Sequence, residues 1–284
     1  MKYLFIAFIC LIVLSKGVFG SQESSLAGTL IAQYINNSIA TIDVATGKAT
    51  LISDANLNFV GAQQLSCLDD TNGILYQLVV DQSDYNTKVI GYDLNNAGNI
   101  VTNVILPDVA LEIFAGIGQA MTYDATTNSV YVVAHGNATS EDRNFIQVDI
   151  ESSSATLINT IISSDTIDIF GQFGGSDDNG KMWTEWYDMD NNNTQMVSID
   201  MKTGKSVDVV DDIVELQTIT YDQKTNTFIG LNINSNFTRD VYEFNPSTLK
   251  YTPLGTVDSE LNIIDGTIQA FDQYNRVLYV YLTR

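Results

Sequence analysis

AMTYDATTNSVYVVA, residues 120–134, reads as two apolar runs joined at an Asp by a short polar turn, and the design occurs five times along the chain. The other copies are LSCLDDTNGILYQLV (65–79), FGGSDDNGKMWTEWY (173–187), TITYDQKTNTFIGLN (218–232) and QAFDQYNRVLYVYL (269–282). They place Asp69, Asp124, Asp177, Asp222 and Asp272 at one register, with a period of about 50 residues that points to a repeat architecture. A second motif interleaves with the first: IATIDVATGKATLI (39–52), KVIGYDLNNAGNIVTNVIL (88–106), FIQVDIESSSATLINTI (145–161), MVSIDMKTGKSVDVV (196–210) and VYEFNPSTLKYTPLG (241–255). Here Asp43, Asp93, Asp149, Asp200 and Asn245 open the turn.

Both motifs are hairpins. An Asx side chain bonds backbone two residues on, and a following Gly or Asn supplies positive φ. The acids at these registers are therefore expected to build turns rather than perform catalysis. The flanking runs are rich in Val, Ile, Tyr and Thr, as strands are. No amphipathic helix is evident.

Two hairpins per repeat make a four-stranded antiparallel unit, and such units lose their exposed edges by packing around an axis. The expectation is an all-β, five-bladed β-propeller. The chain enters inside a unit, over residues 28–53, and ends on a hairpin over 267–284, so strands from the two termini are expected to share one blade. Thr29 to Ile35 reads as one strand more than five blades need, which leaves a six-bladed ring with an incomplete blade as the alternative.

The stretch LIAQYINNSIATIDVATGKATLI, residues 30–52, resembles the YVTN-type, quinoprotein-like β-propeller repeat: an apolar strand, an Asn-Ser turn, an I-x-x-I-D type strand and an x-T-G turn. The likeness runs at repeat level through residues 28–284 and departs from WD40 and Kelch patterns. It implies the fold and carries no activity with it.

The 284 residues carry 13 Lys plus Arg against 34 Asp plus Glu, a formal charge of −21. That balance repels phosphate backbones and anionic lipid, so nucleic acid is excluded as a partner. Lys2, the apolar run Tyr3 to Leu14 and the closing Val18, Phe19 and Gly20 follow the order of a secretory signal peptide. The run is too short to span a bilayer, which needs roughly 20 apolar residues. The expected organisation is a signal peptide over 1–20 and one propeller domain over 21–284, secreted and extracellular, with no membrane span. Release of the leader removes Lys2, Lys16 and Cys10, leaving 11 basic against 34 acidic residues, or −23, and Cys67 as the single thiol. One Cys makes no internal bridge, and Cys67 reads as a small buried residue.

With strands lettered A to D outward from the axis, the B–C and D–A connections share one face, the top, and the hairpin turns share the bottom. Acceptors of the form Asn-x-Ser/Thr stand at Asn36, Asn137, Asn192 and Asn236, each in a different B–C connection, and N-glycosylation is expected there. The D–A connections are acidic (Asp54; Asp108, Glu112; Asp165, Asp168; Asp211, Asp212, Glu215; Asp258, Glu260, Asp265), while most basic residues fall in the bottom turns. Gln64, Gln119, Gln172 and Gln217 stand five residues before four of the aligned Asp residues. They are expected as a ring of amides at the top channel mouth, able to bond hydroxyl groups of a ligand or the neighbouring blade.

Catalytic signatures are sparse. His135 is the one histidine and no G-x-S-x-G is present, so neither an ordinary zinc site nor a hydrolase triad is indicated. Glycoside cleavage needs two carboxyls about 5 to 10 Å apart, but the expected inner-strand segments before each aligned Asp contain no acid. DMDNNN (188–193) opens like a calcium loop but has Asn193 and Ile199 where Gly and Glu belong. The sequence thus predicts a non-catalytic, monomeric binding module for an extracellular protein or carbohydrate, without a cofactor. The alternative is a calcium-assisted hydrolase of glycosidase or lactonase type, its metal among top-loop acids such as Asp168, Asp212 and Asp265.

Overall fold

A computed structural model of the chain describes residues 10–13, 29–33, 39–43, 48–53, 59–107, 109, 120–136, 142–161, 167–168, 174–188, 190–211, 214, 216, 218–222, 224–233, 239–257, 269–272 and 277–280. Every regular element among them is a strand. The first sheet runs β1 (Cys10–Val13), β2 (Thr29–Gln33), β3 (Ile39–Asp43) and β4 (Ala49–Ser53), and the second β5 (Phe59–Asp69), β6 (Ile74–Asp81), β7 (Thr87–Asp93) and β8 (Asn99–Ile105). The third runs β9 (Ala120–Asp124), β10 (Ser129–His135), β11 (Arg143–Asp149) and β12 (Ser154–Ile161). In the fourth, β13 (Ile167–Asp168) and β14 (Gly175–Ser176) both pair with β15 (Lys181–Asp188), followed by β16 (Asn193–Asp200) and β17 (Ser206–Val210). The fifth runs β18 (Thr218–Asp222), β19 (Thr227–Ile233), β20 (Arg239–Asn245) and β21 (Lys250–Val257); the last is the hairpin β22 (Gln269–Asp272) and β23 (Val277–Val280). All pairings are antiparallel and, apart from β13 with β15, join chain neighbours, as hairpin turns dictate.

Side chains alternate across each sheet, and here both faces are buried. On β6, Tyr76 and Leu78 enter a core with Met121, Val130 and Ile146 of the third sheet, whereas Leu75 and Val79 pack with Ile39 of the first. On β10, Val130 and Val132 face the second sheet while Tyr131 and Val133 meet Met182, Trp186 and Ile199 of the fourth. Trp183, one residue from Met182, points the other way, into Ile219, Phe228 and Phe244 of the fifth. Sheets buried on both sides need near-continuous apolar strands, which explains runs such as SVYVVA. The innermost strands β5, β9, β14, β18, β22 and β1 are neighbours in that order, the radial packing of a β-propeller.

Two expectations are corrected. Among the described residues four blades are each built from one continuous stretch of chain, β5–β8, β9–β12, β13–β17 and β18–β21, while the β1–β4 sheet and the two-stranded β22–β23 hairpin stand beside them, so a ring of five complete blades is not what is seen. Among the described residues the termini do not share a sheet: β2 takes β1 as its partner, pairing Cys10 with Gln33 through Val13 with Leu30, and β22 is seen paired with β23. The apolar N-terminal strand β1 occupies the edge of β2 that the C-terminal hairpin was expected to meet.

Candidate binding surface

The innermost strands all run in one sense, so the aligned Asp residues gather at one end of the axis, and their side chains build the turns there. Asp69 accepts from Asn72 N at 3.1 Å and Asn72 Nδ2 at 2.7 Å. Asp124 accepts from Thr127 N at 3.2 Å and Thr127 Oγ1 at 2.6 Å, and Asp222 from Lys224 N at 3.0 Å and Thr225 Oγ1 at 2.9 Å. Asp177 takes Asn179 N at 2.9 Å and the Trp183 indole Nε1 at 3.1 Å. All four are buried. The outer register behaves alike: Ser152 N donates to Asp149 at 2.8 Å, Thr203 N to Asp200 at 2.8 Å and Ser247 N to Asn245 at 3.0 Å. Positive φ falls on Gly73, Asn128, Gly180, Asn226 and Gly204 as turn chemistry requires, and also on Ala97, Ser153 and Leu249.

Neighbouring blades are stitched at the same end. Ser176 N donates to Thr122 Oγ1 at 3.0 Å and Ser176 Oγ to Asp124 Oδ1 at 3.3 Å. The Tyr221 hydroxyl shares its proton between the Asp177 carbonyl at 2.9 Å and Asn226 Oδ1 at 3.1 Å. Tyr123 to Asn128 at 3.0 Å repeats the second of these contacts, and Tyr187 to Asn192 at 2.6 Å makes the same bond at the opposite end, in the β15–β16 turn. Sequence reading missed this device, although its signal, Y-D-x-x-x-N at 123, 187 and 221, is legible.

This end is more acidic near the axis than the sequence suggested. Burial, then the carboxylates of Asp124, Asp177 and Asp70, push Asp178 up to about 6. Burial and Asp69 raise Asp70 in the same direction. Lys181, one of the basic bottom residues, is occupied by Asp208 at 2.6 Å. The anticipated division into an acidic top and a basic bottom therefore fails at the hub, because the turn-building carboxylates converge there. Among the described residues no group of three or more His, Cys, Asp or Glu side chains is arranged to hold a metal ion.

At the opposite end run the connections between second and third strands. Asn36 falls between β2 and β3, Asn137 between β10 and β11, Asn192 between β15 and β16, and Asn236 between β19 and β20. Asn192 is exposed with φ +50° at the tip of its turn; the other three acceptors lie outside the described residues. So do Gln119, Gln172 and Gln217, directly before β9, before β14 and directly before β18. Gln64 lies within β5, whose register shifts between Gly61 and Ser66. Asp168, expected in an acidic loop, instead occupies β13 opposite Tyr187. Asp212 and Asp265 lie outside the described residues. Glu185, on β15, is buried and accepts Leu216 N at 2.9 Å, which ties the incoming connection between two blades.

The fifth connection of this kind, between β6 and β7, is built around a buried cation. Lys88 Nζ donates to Asp81 Oδ2 at 2.6 Å and to Asp84 Oδ2 at 2.8 Å. Asp81 Oδ1 accepts Ser83 N at 2.9 Å and Ser83 Oγ at 2.6 Å, and Asp84 accepts Asn86 N at 3.0 Å. The Lys88 bond, then those from Ser83, hold Asp81 down at about 2. At the tip Tyr85 stands 83% exposed with φ +58°.

With the fold and this surface in view, likeness to known proteins is confined to structure. The chain folds as a β-propeller. No family model and no curated protein matches it in sequence. Among solved structures it resembles hydrazine synthase of Kuenenia stuttgartiensis (14% identity, TM-score 0.60, covering 96% of this chain and 73% of that one). It also resembles an oligogalacturonate lyase in complex with manganese (10%, 0.58, 93% and 76%). A third is TolB of Acinetobacter baumannii (12%, 0.52, 82% and 53%). At these identities the likeness concerns the fold alone. It accords with the propeller-repeat resemblance, and no helix among the described residues is long and apolar enough to cross a membrane.

Proposed function

We propose that this chain is exported, loses its leader over 1–20, is N-glycosylated at Asn36, Asn137, Asn192 and Asn236, and serves as a non-catalytic binding module for an extracellular protein or carbohydrate. One observation carries this reading: all four acceptors occupy the same class of inter-strand connection, on the first, third, fourth and fifth sheets, while the aligned carboxylates are consumed by turn and inter-blade bonds. In the released form, β2 loses β1 and the C-terminal hairpin, which packs beside β1, is placed to meet the freed edge. Termini sharing one blade would then belong to the mature chain.

The test is peptide mapping of the protein secreted from eukaryotic cells, together with a glycan array and a panel of glycosides and lactones. Glycans on at least two acceptors, an N-terminus near residue 21 and binding without turnover support the reading. Reproducible turnover abolished by a point change in a D–A acid such as Asp212 would replace it with the hydrolase. Calorimetry with calcium separates the metal-assisted version, which predicts heat and a raised melting temperature.

A further inference from the structure

We propose that the β6–β7 connection is the ligand-reading loop of this protein and that Tyr85 is its anchor, stacking on the apolar face of a pyranose in a neutral oligosaccharide. This rests on the binding-module reading above and names the site within it. Five second-to-third-strand connections lie at one end of the sheets; four carry an Asn-x-Ser/Thr acceptor, and the 82–86 connection carries none. That loop holds a tyrosine 83% exposed, the most exposed large apolar side chain among the described residues.

The backbone around it is fixed rather than loose. Asp81 N donates to Asn86 O at 3.0 Å and Tyr85 N to Asp81 O at 2.7 Å, closing the loop on itself. Beneath, buried Lys88 grips both carboxylates, and Thr87 Oγ1 reaches Val109 O at 3.3 Å. Tyr85 sits at φ +58°, where Gly or Asn is at ease and a bulky side chain is strained. The loop's own stability would favour Gly at that position. A ring held there against the backbone preference and turned to solvent is explained by what it contacts outside the chain.

The surroundings choose the ligand. Gln82, Ser83 and Asp84 are exposed beside the ring and Asn86 is half-buried, so amides and hydroxyls flank one aromatic face. That is a site for a small ligand with an apolar face and a rim of hydroxyls. A protein interface needs an apolar centre and about 800 Å² per partner, and glycans on the four sister loops would obstruct so broad an approach. The formal charge of −21 disfavours uronic or sulfated sugars.

The experiment uses the secreted, glycosylated chain with tyrosine rings ¹³C-labelled, titrated with cellohexaose, mannohexaose, xylohexaose and chitohexaose, with oligogalacturonate as the anionic control. At least one neutral sugar shifts the Tyr85 ring signals. Tyr85→Gly weakens its binding about tenfold or more, the scale of one lost stacking contact. The same substitution raises Tm by about 2–4 °C by relieving the backbone, so lost binding cannot be lost folding. Tyr85→Phe keeps both affinity and the ordinary Tm. Unchanged affinity in Tyr85→Gly overturns the inference and leaves the binding-module reading standing with its site elsewhere. Binding of oligogalacturonate alone, or capture of an extracellular protein with no response to any neutral sugar, overturns it in favour of an acidic glycan or a protein partner.

Discussion

The indole Nε1 of Trp183 donates to Asp177 Oδ2 over 3.1 Å, inside the joint between the fourth and fifth sheets. The Asp that closes the β14–β15 turn is thereby also the acceptor that fixes the largest fully buried side chain among the described residues. Asp177→Ala strands the indole donor and the amides of Asn179 and Lys181. The expected loss is about 2–3 kcal/mol of unfolding free energy in urea, with Asp177→Asn milder because it still accepts.

Glycines at the same joint let the sheets approach. A Cβ on Gly175 would fall against the ring of Phe228, and one on Gly174, at the joint with the third sheet, against Met182 and Ala120. Gly175→Ala is expected to destabilise by about 1–3 kcal/mol, whereas Gly255→Ala, which meets only open space, stays near wild type. Parallel urea titrations of the two variants check this.

Asp178 gives a pH signature. Its carboxyl is raised to about 6, above the unfolded value near 4. The native chain therefore holds more protons between these values, and this group's contribution raises stability as pH falls from 7 toward 4. Asp178→Asn is expected to raise Tm at pH 7.5 and to flatten that slope, and Asn also tolerates the φ of +54° found there. A Tm that falls in the variant at every pH would contradict this account.

The Asp81–Lys88 brace has the opposite sign. Asp81 is held down at about 2, so its contribution is present above the ordinary carboxylate range and disappears as pH falls through about 2. Lys88 is raised, mainly by its bond to Asp81, so its contribution is present below the ordinary lysine range and declines as pH rises through the raised value. Lys88→Gln should therefore lower Tm between about pH 4 and 10 and converge with wild type in strong acid. Scanning calorimetry across that range decides it.

Burial, then the Asp69 carboxylate, pushes the Cys67 thiol up, which suppresses its thiolate. The native protein should react slowly with iodoacetamide at pH 8, and, if the proposed leader is removed, the urea-unfolded protein should show one thiol per chain. A second thiol would mean that Cys10, and with it the leader, is retained.

The turns were readable because an Asx turn is local. Asp124, Thr126, Thr127 and Asn128 lie within five residues, and their side-chain chemistry specifies the hairpin before any distant contact forms. Strand period and antiparallel order followed from the same short-range signals. Glu185 was not readable in this way. It stands between Thr184 and Trp186 like any polar strand residue, and only the packing of the fifth sheet brings Leu216 N to it. Nor was the role of Lys88: the loop's return folds Asp81 and Asp84 over it and buries it.

By itself, then, the sequence determined the repeat, the hairpin turns, the strand order and the class of connection that holds each Asn-x-Ser/Thr motif, because these depend on residues a few positions apart. Tertiary structure alone decided the sheet arrangement at the termini, the gathering of carboxylates around Asp178 and the exposure of Tyr85. Those depend on which surfaces meet across about 50 residues of chain, where burial and neighbouring charge, rather than local propensity, set the energy.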